Sequence, residues 1–368
     1  MERPPVSFSR NRKGAMMNKG QLETVAIFPD ERPGNPTVMR DGRVLVSISA
    51  IIAPEFAVRA IASDGNHTPY PDEFWAGKPR PDGRGMAGVI GIRADADGIV
   101  WMLDLGDRTH QPKLVGWNDY ENRLHKVIVL PQNVLRPSSF AQDFVIDRRR
   151  RRIYIADMTL NPGGASDYPA IIVVDLDTGL SRRMLEAHPT LMPSEDPVRV
   201  DGKTISLRMA DGELVPYRYG LNPIAMDPLG KWVYFGAMSG TSVHRIPADA
   251  LADESDVAAL AAQMEYWCAK PRCDGFDVDA LGNIYVTDVE NSAIGLASPM
   301  GYSILAQDRD RLAWPDGVEL DSEGRWLYIT ANQLHRLPVL NGGVDESSPP
   351  FRLLRIRVDA PMKAEKVA

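Results

Sequence analysis

Along this chain, short apolar stretches alternate with polar positions and are interrupted at recurring places by an aspartate-containing turn. The repeating unit is an apolar strand, a turn of the form D-x-x-G, and a second strand rich in β-branched and aromatic residues. It reads VMRDGRVLVSIS, IRADADGIVWMLD, VIDRRRRRIYIAD, AMDPLGKWVYFGA, DVDALGNIYVTD and ELDSEGRWLYIT. The turn positions fall at Gly42, Gly98, Arg150, Gly230, Gly282 and Gly324, spaced 56, 52, 80, 52 and 42 residues apart. A single hairpin of this kind is marginal, so the copies must stack to bury their faces. Six copies at this spacing predict an all-β chain folded as a six-bladed β-propeller. The expected organisation is a disordered leader over 1–20, one propeller domain over 21–358 and a disordered tail over 359–368.

Three segments depart from the repeat. The long third interval contains SEDPVRVDGKTISLRMADGELVPYRYG, which predicts an extra hairpin over one rim. In PADALADESDVAALAAQMEYW, Leu251, Val257, Leu260, Met264 and Trp267 fall on one helical face. That spacing predicts one peripheral helix packed on the outside, with no catalytic role. The Arg148–Arg152 run stands where a turn glycine is expected and reads as a solvated hairpin tip.

Composition narrows the class. At 368 residues, 44% hydrophobic and 25% charged, the chain has a globular balance. Its 42 Lys+Arg against 49 Asp+Glu give a net charge of −7, which disfavours nucleic acid and anionic membrane as partners. No apolar run approaches the roughly 20 residues of a membrane-spanning helix. The two cysteines, Cys268 and Cys273, lack a second Cys/His pair for zinc and point to a reducing, cytoplasmic setting. The expected partner is a small molecule, and the expected assembly a monomer or homodimer.

The fold suggests where chemistry gathers. In a blade the innermost strand starts at one mouth of the central channel, and its antiparallel neighbour ends there. Residues entering the first strands are Asn35, Asp143, Asn222, Asp274 and Asp316, with Gly88 near that place in the second blade. Residues ending the second strands are Asp104, Asp157 and Asp288. Carboxylates and carboxamides crowded at one mouth repel unless compensated, and a hard divalent cation with oxygen ligands, Ca²⁺ first, would compensate them. The competing reading is that each residue caps a strand end by accepting backbone N–H groups. On the metal reading, Asn35, Asp143, Asn222, Asp274 and Asp316 bind the cation, and Asp157 or Asp288 is the base in ester or lactone hydrolysis. Asp104, Trp314 and the loop histidines His67 and His110 would line the substrate space. A nucleophile elbow, an HExxH pair and a dinucleotide fingerprint are all missing from the sequence.

Four stretches resemble the Yellow/major royal jelly protein family: TPYPDEFW; GVIGIRADADGIVWMLDLG with QPKLVGWN and RLHKVIVLP; SFAQDFVIDRRRRRIYIADM with AIIVVDLDTGLSRRML; and NSAIGL with WPDGVELDSEGRWLYITANQLHRLP. The resemblance implies a six-bladed propeller. The chain departs from the family in having His110-Gln111-Pro112 where members carry a cysteine, and Gly220-Leu221-Asn222-Pro223 at the entry to the fourth blade. That last segment is more similar to the gluconolactonase/senescence-marker-protein family, whose Glu, two Asn and Asp hold one divalent metal for lactone hydrolysis. By position Asn222 and Asp274 match that set, Asn35 stands for the Glu, and Asp143 stands for the other Asn. Three functions follow: metal-dependent lactone or ester hydrolysis, metal-independent tautomerisation of a small aromatic compound at a mouth lined by Tyr70, Trp75, Trp101 or Trp314, and non-catalytic binding of a small ligand.

Overall fold

The computed structural model describes residues 20–363, apart from 162, 210, 254 and 255. At five of the six turns the expected glycine adopts positive φ, from 66° at Gly230 to 87° at Gly42. A Cβ disfavours that conformation, so glycine is the natural residue there. In the third unit the left-handed position is taken by Arg151, at φ 54°, one residue beyond Arg150. Nor is the arginine run simply solvated. Arg150 is tied to Asp147 and to the Gly230 carbonyl of the next unit, while Arg148 pairs with Asp97 of the preceding one.

Each unit grows into a four-stranded antiparallel sheet. Blade 1 comprises Pro33–Val38, Val44–Ile48, Val58–Ile61 and His67–Pro69. Blade 2 comprises Val89–Ala94, Ile99–Asp104, Lys113–Asn118 and Arg123–Val129. Blade 3 runs through Ala141–Asp147, Arg152–Asp157, Ala170–Asp175 and Ser181–Met184. Blade 4 runs through Leu221–Met226, Trp232–Ala237, Ser242–Pro247 and Glu265–Ala269. In blade 5 the strands are Cys273–Val278, Ile284–Asp288, Ala293–Ser298 and Gly301–Gln307. Blade 6 takes Pro315–Leu320, Trp326–Ala331 and Phe351–Arg357, and its outermost strand is Glu23–Phe28 from the other end of the described chain.

Every innermost strand lies against the innermost strands of both neighbours, so the ring is closed. Six apolar clusters fill the six blade-to-blade interfaces. Between blades 2 and 3, for example, Leu103, Leu114, Phe144, Ile155 and Ile172 are wholly buried. Each such side chain contributes about 1.5–3 kcal/mol by leaving water. A seventh cluster lies over one mouth of the channel. It joins Val198, Val200, Ile205, Tyr217 and Tyr219 with Met158, Trp314, Leu334 and Leu340. Two hairpins, Arg199–Val200 with Lys203–Thr204 and Ser206–Arg208 with Leu214–Pro216, supply part of this cap. The sequence had suggested one hairpin in this interval.

The single peripheral helix is corrected to two short ones, Ala248–Asp253 and Val257–Ala261, which with Glu73–Ala76 are the α-helices among the described residues. Asp256 accepts from the N–H groups of Ala258 and Ala259 and so starts a new helix inside the stretch read as continuous. Beyond it, Glu265–Ala269 becomes the outer strand of blade 4, taking Trp267 out of the helix. Both cysteines are free and buried. No helix of the described residues is long and apolar enough to cross a membrane. Residues 1–19 of the expected leader and 364–368 of the expected tail lie outside the described residues. Before that, Ala360 is buried, and its N–H bonds to the Gly324 carbonyl.

Candidate functional site

All six innermost strands share one irregularity close to their starts. Register shifts fall at Pro33/Pro36, Val89/Ile92, Ala141/Asp143, Leu221/Ile224, Cys273/Phe276 and Pro315/Val318. A bulge bends a strand and re-aims its side chains. Here it turns one residue per blade toward the channel mouth: Gly34, Ile90, Gln142, Asn222, Asp274 and Asp316. The residues next in line include Asn35, Asp143, Gly275 and Gly317, which surround a small cavity of about 10 Å³ just beneath. That is room for one water or one ion. The glycines let the strands close in: a Cβ on Gly275 would sit 2.7 Å from the Asp316 carbonyl oxygen, and one on Gly317 would sit 2.5 Å from Asn35 Oδ1.

The five residues expected at strand starts therefore do converge, in two layers. Asn222, Asp274 and Asp316 form the floor of the upper pocket, while Asn35 and Asp143 lie one residue deeper. Gln142 was missed by the sequence reading, although it holds in blade 3 the position that Asn222, Asp274 and Asp316 hold in theirs. Its amide donates to Asn222 Oδ1; Asn222 Nδ2 donates to Asp274 Oδ1 at 2.7 Å; Trp314 Nε1 donates to Asp274 Oδ2 at 2.7 Å. Asp316 Oδ2 accepts from Asn332. Trp314 stacks on His335 with centroids 5.8 Å apart, and Tyr217 meets Trp314 edge-on at 6.4 Å. Burial holds the His335 imidazole neutral, its pKa lowered to about 4.

Below the small cavity the channel holds Arg93, which the sequence reading also passed over. Its guanidinium donates to Glu319 at 2.8 Å and lies 3.6 Å from Asp143. Its charge also acts on Asp277. Arg93, Asp277 and Glu319 share one inward register in three blades, each opposite an aromatic residue of the next strand. Three carboxyls, Asp143, Asp277 and Glu319, thus face one guanidinium, with Asp274 and Asp316 in the layer above. Burial raises Asp143 to about 6 and Glu319 to about 7, with Arg93 opposing the rise in both. Burial also raises Asp274, against the hydrogen bonds from Trp314 and Asn222. Asp316 goes well above the carboxylate range through burial and then the charge of Asp274. Either a proton or a cation must neutralise this pair.

The remaining expected site residues lie elsewhere. Asp157 accepts from Phe140 N and Ser139 Oγ and is paired with Arg183, itself almost fully buried. Asp288 accepts from Asn291 and from the Tyr302 hydroxyl, and Asp104 from the N–H groups of Ala87, Gly88 and Gly106. All three are at the expected end of their strands, but their oxygens serve loops and outermost strands of their own blades. His67, on the outermost strand of blade 1, packs against Phe28, and His110 is exposed and bonded to Asp107. Tyr70, Trp75 and Trp101 are core residues between blades rather than mouth residues. Trp314 alone of the aromatic candidates reaches the site.

Among the described residues, no group of three or more His, Cys, Asp and Glu side chains is arranged to hold a metal ion by itself. A cation in the small cavity would rest on two carboxylates supplemented by carboxamide oxygens. The ion-sized space, the carboxylate and carboxamide oxygens and the raised carboxyl pair fit a hard divalent cation, with the Arg93 guanidinium at the edge of the space held by Asp143 and Glu319.

This architecture is a six-bladed β-propeller with a capped, acidic channel mouth. The family model described as major royal jelly protein matches residues 87–367, and the chain belongs to that family. A comparison with curated proteins gives no match. Among solved structures, a gluconolactonase from Xanthomonas campestris aligns at 11% identity over 92% of this chain and 89% of its own, with a TM-score of 0.52. The calcium-binding protein regucalcin from Agrobacterium tumefaciens strain C58 aligns at 13% identity over 93% and 98%, with a TM-score of 0.56. A luciferin-regenerating enzyme aligns at 12% identity over 94% and 99%, with a TM-score of 0.56. At these identities the likeness is one of fold.

Proposed function

We propose that the protein is a small-molecule hydrolase acting on an ester or lactone at the capped mouth, with a divalent cation, Ca²⁺ first, held by Asp274, Asp316, Asn35 and Asn222. The observation that carries this reading is the pair of adjacent carboxyls, Asp274 and Asp316, on the floor of an otherwise apolar pocket of about 590 Å³. A bound cation supplies Lewis-acid polarisation of the carbonyl oxygen. The residues do the rest. Asn222 and Trp314 fix the orientation of Asp274 through both of its oxygens. Asp316 has a protein hydrogen bond on only one oxygen among the described residues, and the other is the base that takes a proton from the attacking water. The apolar cap keeps bulk water from the reacting carbonyl, which strengthens the electrostatics of the floor. Asp143 stays with Arg93 and serves the charge balance rather than the chemistry. The two buried free thiols suit a reducing compartment such as the cytoplasm.

The test is elemental analysis of the purified protein with an ester and lactone panel, run on wild type and Asp274→Asn with and without chelator. Stoichiometric metal and chelator-sensitive turnover lost in the variant are expected. Absence of metal together with equal rates in both proteins would overturn the reading. Turnover of a quinone-like substrate that survives chelation would instead support metal-independent tautomerisation. That second reading has one observation in its favour: a carboxyl raised as far as Asp316 can carry a proton at neutral pH, next to Tyr217 and Trp314.

A further inference from the structure

The pocket above the floor says which kind of substrate it takes. Its walls come from Phe140, Met158 and Leu160 around blade 3, from Leu207 on the cap hairpin Ser206–Arg208, and from Leu334 and Leu340 in the connection between the Trp326–Ala331 and Phe351–Arg357 strands of blade 6. The polar residues of the wall are Ser49, Asn161, Tyr217 and Tyr219, and Asn161 is already committed, accepting from Gly163 N and donating to Asp167. Among the described residues, no lysine, arginine or histidine lines this pocket. Carboxylate and phosphate groups would thus find no positive side chain on the walls, and a cation at the floor has its charge already balanced by Asp274 and Asp316. A hydroxyl-rich ring would outnumber the polar wall groups and place most of its hydroxyls against leucine, methionine and phenylalanine, and each unpaired hydroxyl lowers affinity. The volume of about 590 Å³ lies in the range used by ligands of drug size.

We infer that the substrate is a neutral, largely apolar carbonyl compound, an alkyl or aryl ester or lactone whose carbonyl alone faces Asp274, Asp316 and Gln142, and that Leu207 and Leu340 set this preference. The assignment rests on the hydrolase reading for the word ester, but its recognition element stands apart from turnover. Sugar lactones, the class to which a gluconolactone belongs, are excluded as good substrates although a gluconolactonase shares the fold.

Binding without chemistry tests it. Titration calorimetry of the full chain, with and without added Ca²⁺, would compare phenylcyclohexanone, which cannot be hydrolysed, with a polyhydroxylated cyclohexanone of similar ring size. The apolar ketone should bind at least about tenfold more tightly. Leu207→Asn and Leu340→Asn should each weaken it by about tenfold, with Leu207→Met close to wild type; because Leu340 is buried in the cap, its variant is compared at a temperature well below its own unfolding transition. Equal or tighter binding of the hydroxylated ketone, or wild-type affinity in both Asn variants, would overturn the assignment. If the apolar ketone binds as expected while no ester is turned over, the hydrolase reading fails and the assignment stands. If a sugar lactone is turned over efficiently, the reverse holds.

Discussion

The indole N–H of Trp314 reaches Asp274 Oδ2 at 2.7 Å from a backbone held at φ 56°. A bulky residue in the left-handed region costs on the order of 1–3 kcal/mol, a strain the surrounding cap must hold in place. The contact is one of two side-chain hydrogen bonds that keep the buried Asp274 oriented.

Trp314→Phe should retain the ring against His335 and remove only the donor. Asp274 then loses support for its charged form, so its pKa rises and the acid limb of the rate–pH profile moves to higher pH. Stability should fall by about 1–3 kcal/mol, read from urea unfolding. An unmoved acid limb would detach Trp314 from the chemistry.

Arg93→Met should leave Asp143, Glu319 and Asp277 without their shared cation. Removing one partner of a buried ion pair costs about 3–5 kcal/mol. Acid should restore much of the loss, because protonated carboxyls no longer need the guanidinium. Urea midpoints for the variant at pH 5 and pH 8 check this, and a pH-independent deficit would contradict it.

The wild-type fold should also prefer mild acid. Glu319 is raised to about 7 and Asp143 to about 6 by burial. With the folded pKa above the unfolded one, the folded state holds protons that the unfolded state has already released. The stabilising contribution is therefore complete below about pH 4 and is lost as pH rises through 6 and 7, about 3 kcal/mol for each group. Glu319→Gln should flatten this dependence between pH 5 and pH 8. Identical slopes in the two proteins would exclude Glu319 as its source.

Asp157→Asn and Asp316→Asn should separate structure from chemistry. The first weakens the partner of the buried Arg183 and should cost about 3 kcal/mol of stability with turnover per folded molecule preserved. The second relieves repulsion with Asp274, so the metal-free protein should become more stable while hydrolysis is lost. Thermal unfolding and active-site-normalised rates distinguish the two patterns.

Much of this was legible in the sequence because the repeat carries its own geometry. Gly42, Gly98, Gly230, Gly282 and Gly324 mark the hairpins by the conformation they alone adopt easily. The strand-start residues Asn222, Asp274 and Asp316 were found by asking which positions antiparallel pairing brings to one mouth. The same logic placed Asp104, Asp157 and Asp288 at the correct strand ends, but pairing does not say where a side chain turns, and loop N–H groups claimed all three. Gln142 was hidden by the bulge, which shifts the blade 3 register by one residue and puts Asp143 a layer deeper. Arg93, Asp277 and Glu319 left a usable signal: a charged residue at the same place in an inner strand of three units. Tyr217 and Leu207 left none, since cap packing depends on contacts distant in sequence.

Blade 6 closes on Glu23–Phe28, and the seam of the ring runs between Asn35 and Gly317, where the Thr330 hydroxyl bonds the Gly34 carbonyl. During synthesis, which proceeds from the N-terminus, blades 1 to 5 can be complete while Asp316 still has no neighbour across that seam. The mouth therefore acquires its full set of carboxyls only when Phe351–Arg357 has been made and the first strand has paired with it. Assembly of the floor doubles as a check that the ring is whole: a chain truncated before Phe351 would carry the five floor positions of blades 1 to 5, with Asp316 on an incomplete blade 6 and no closed site.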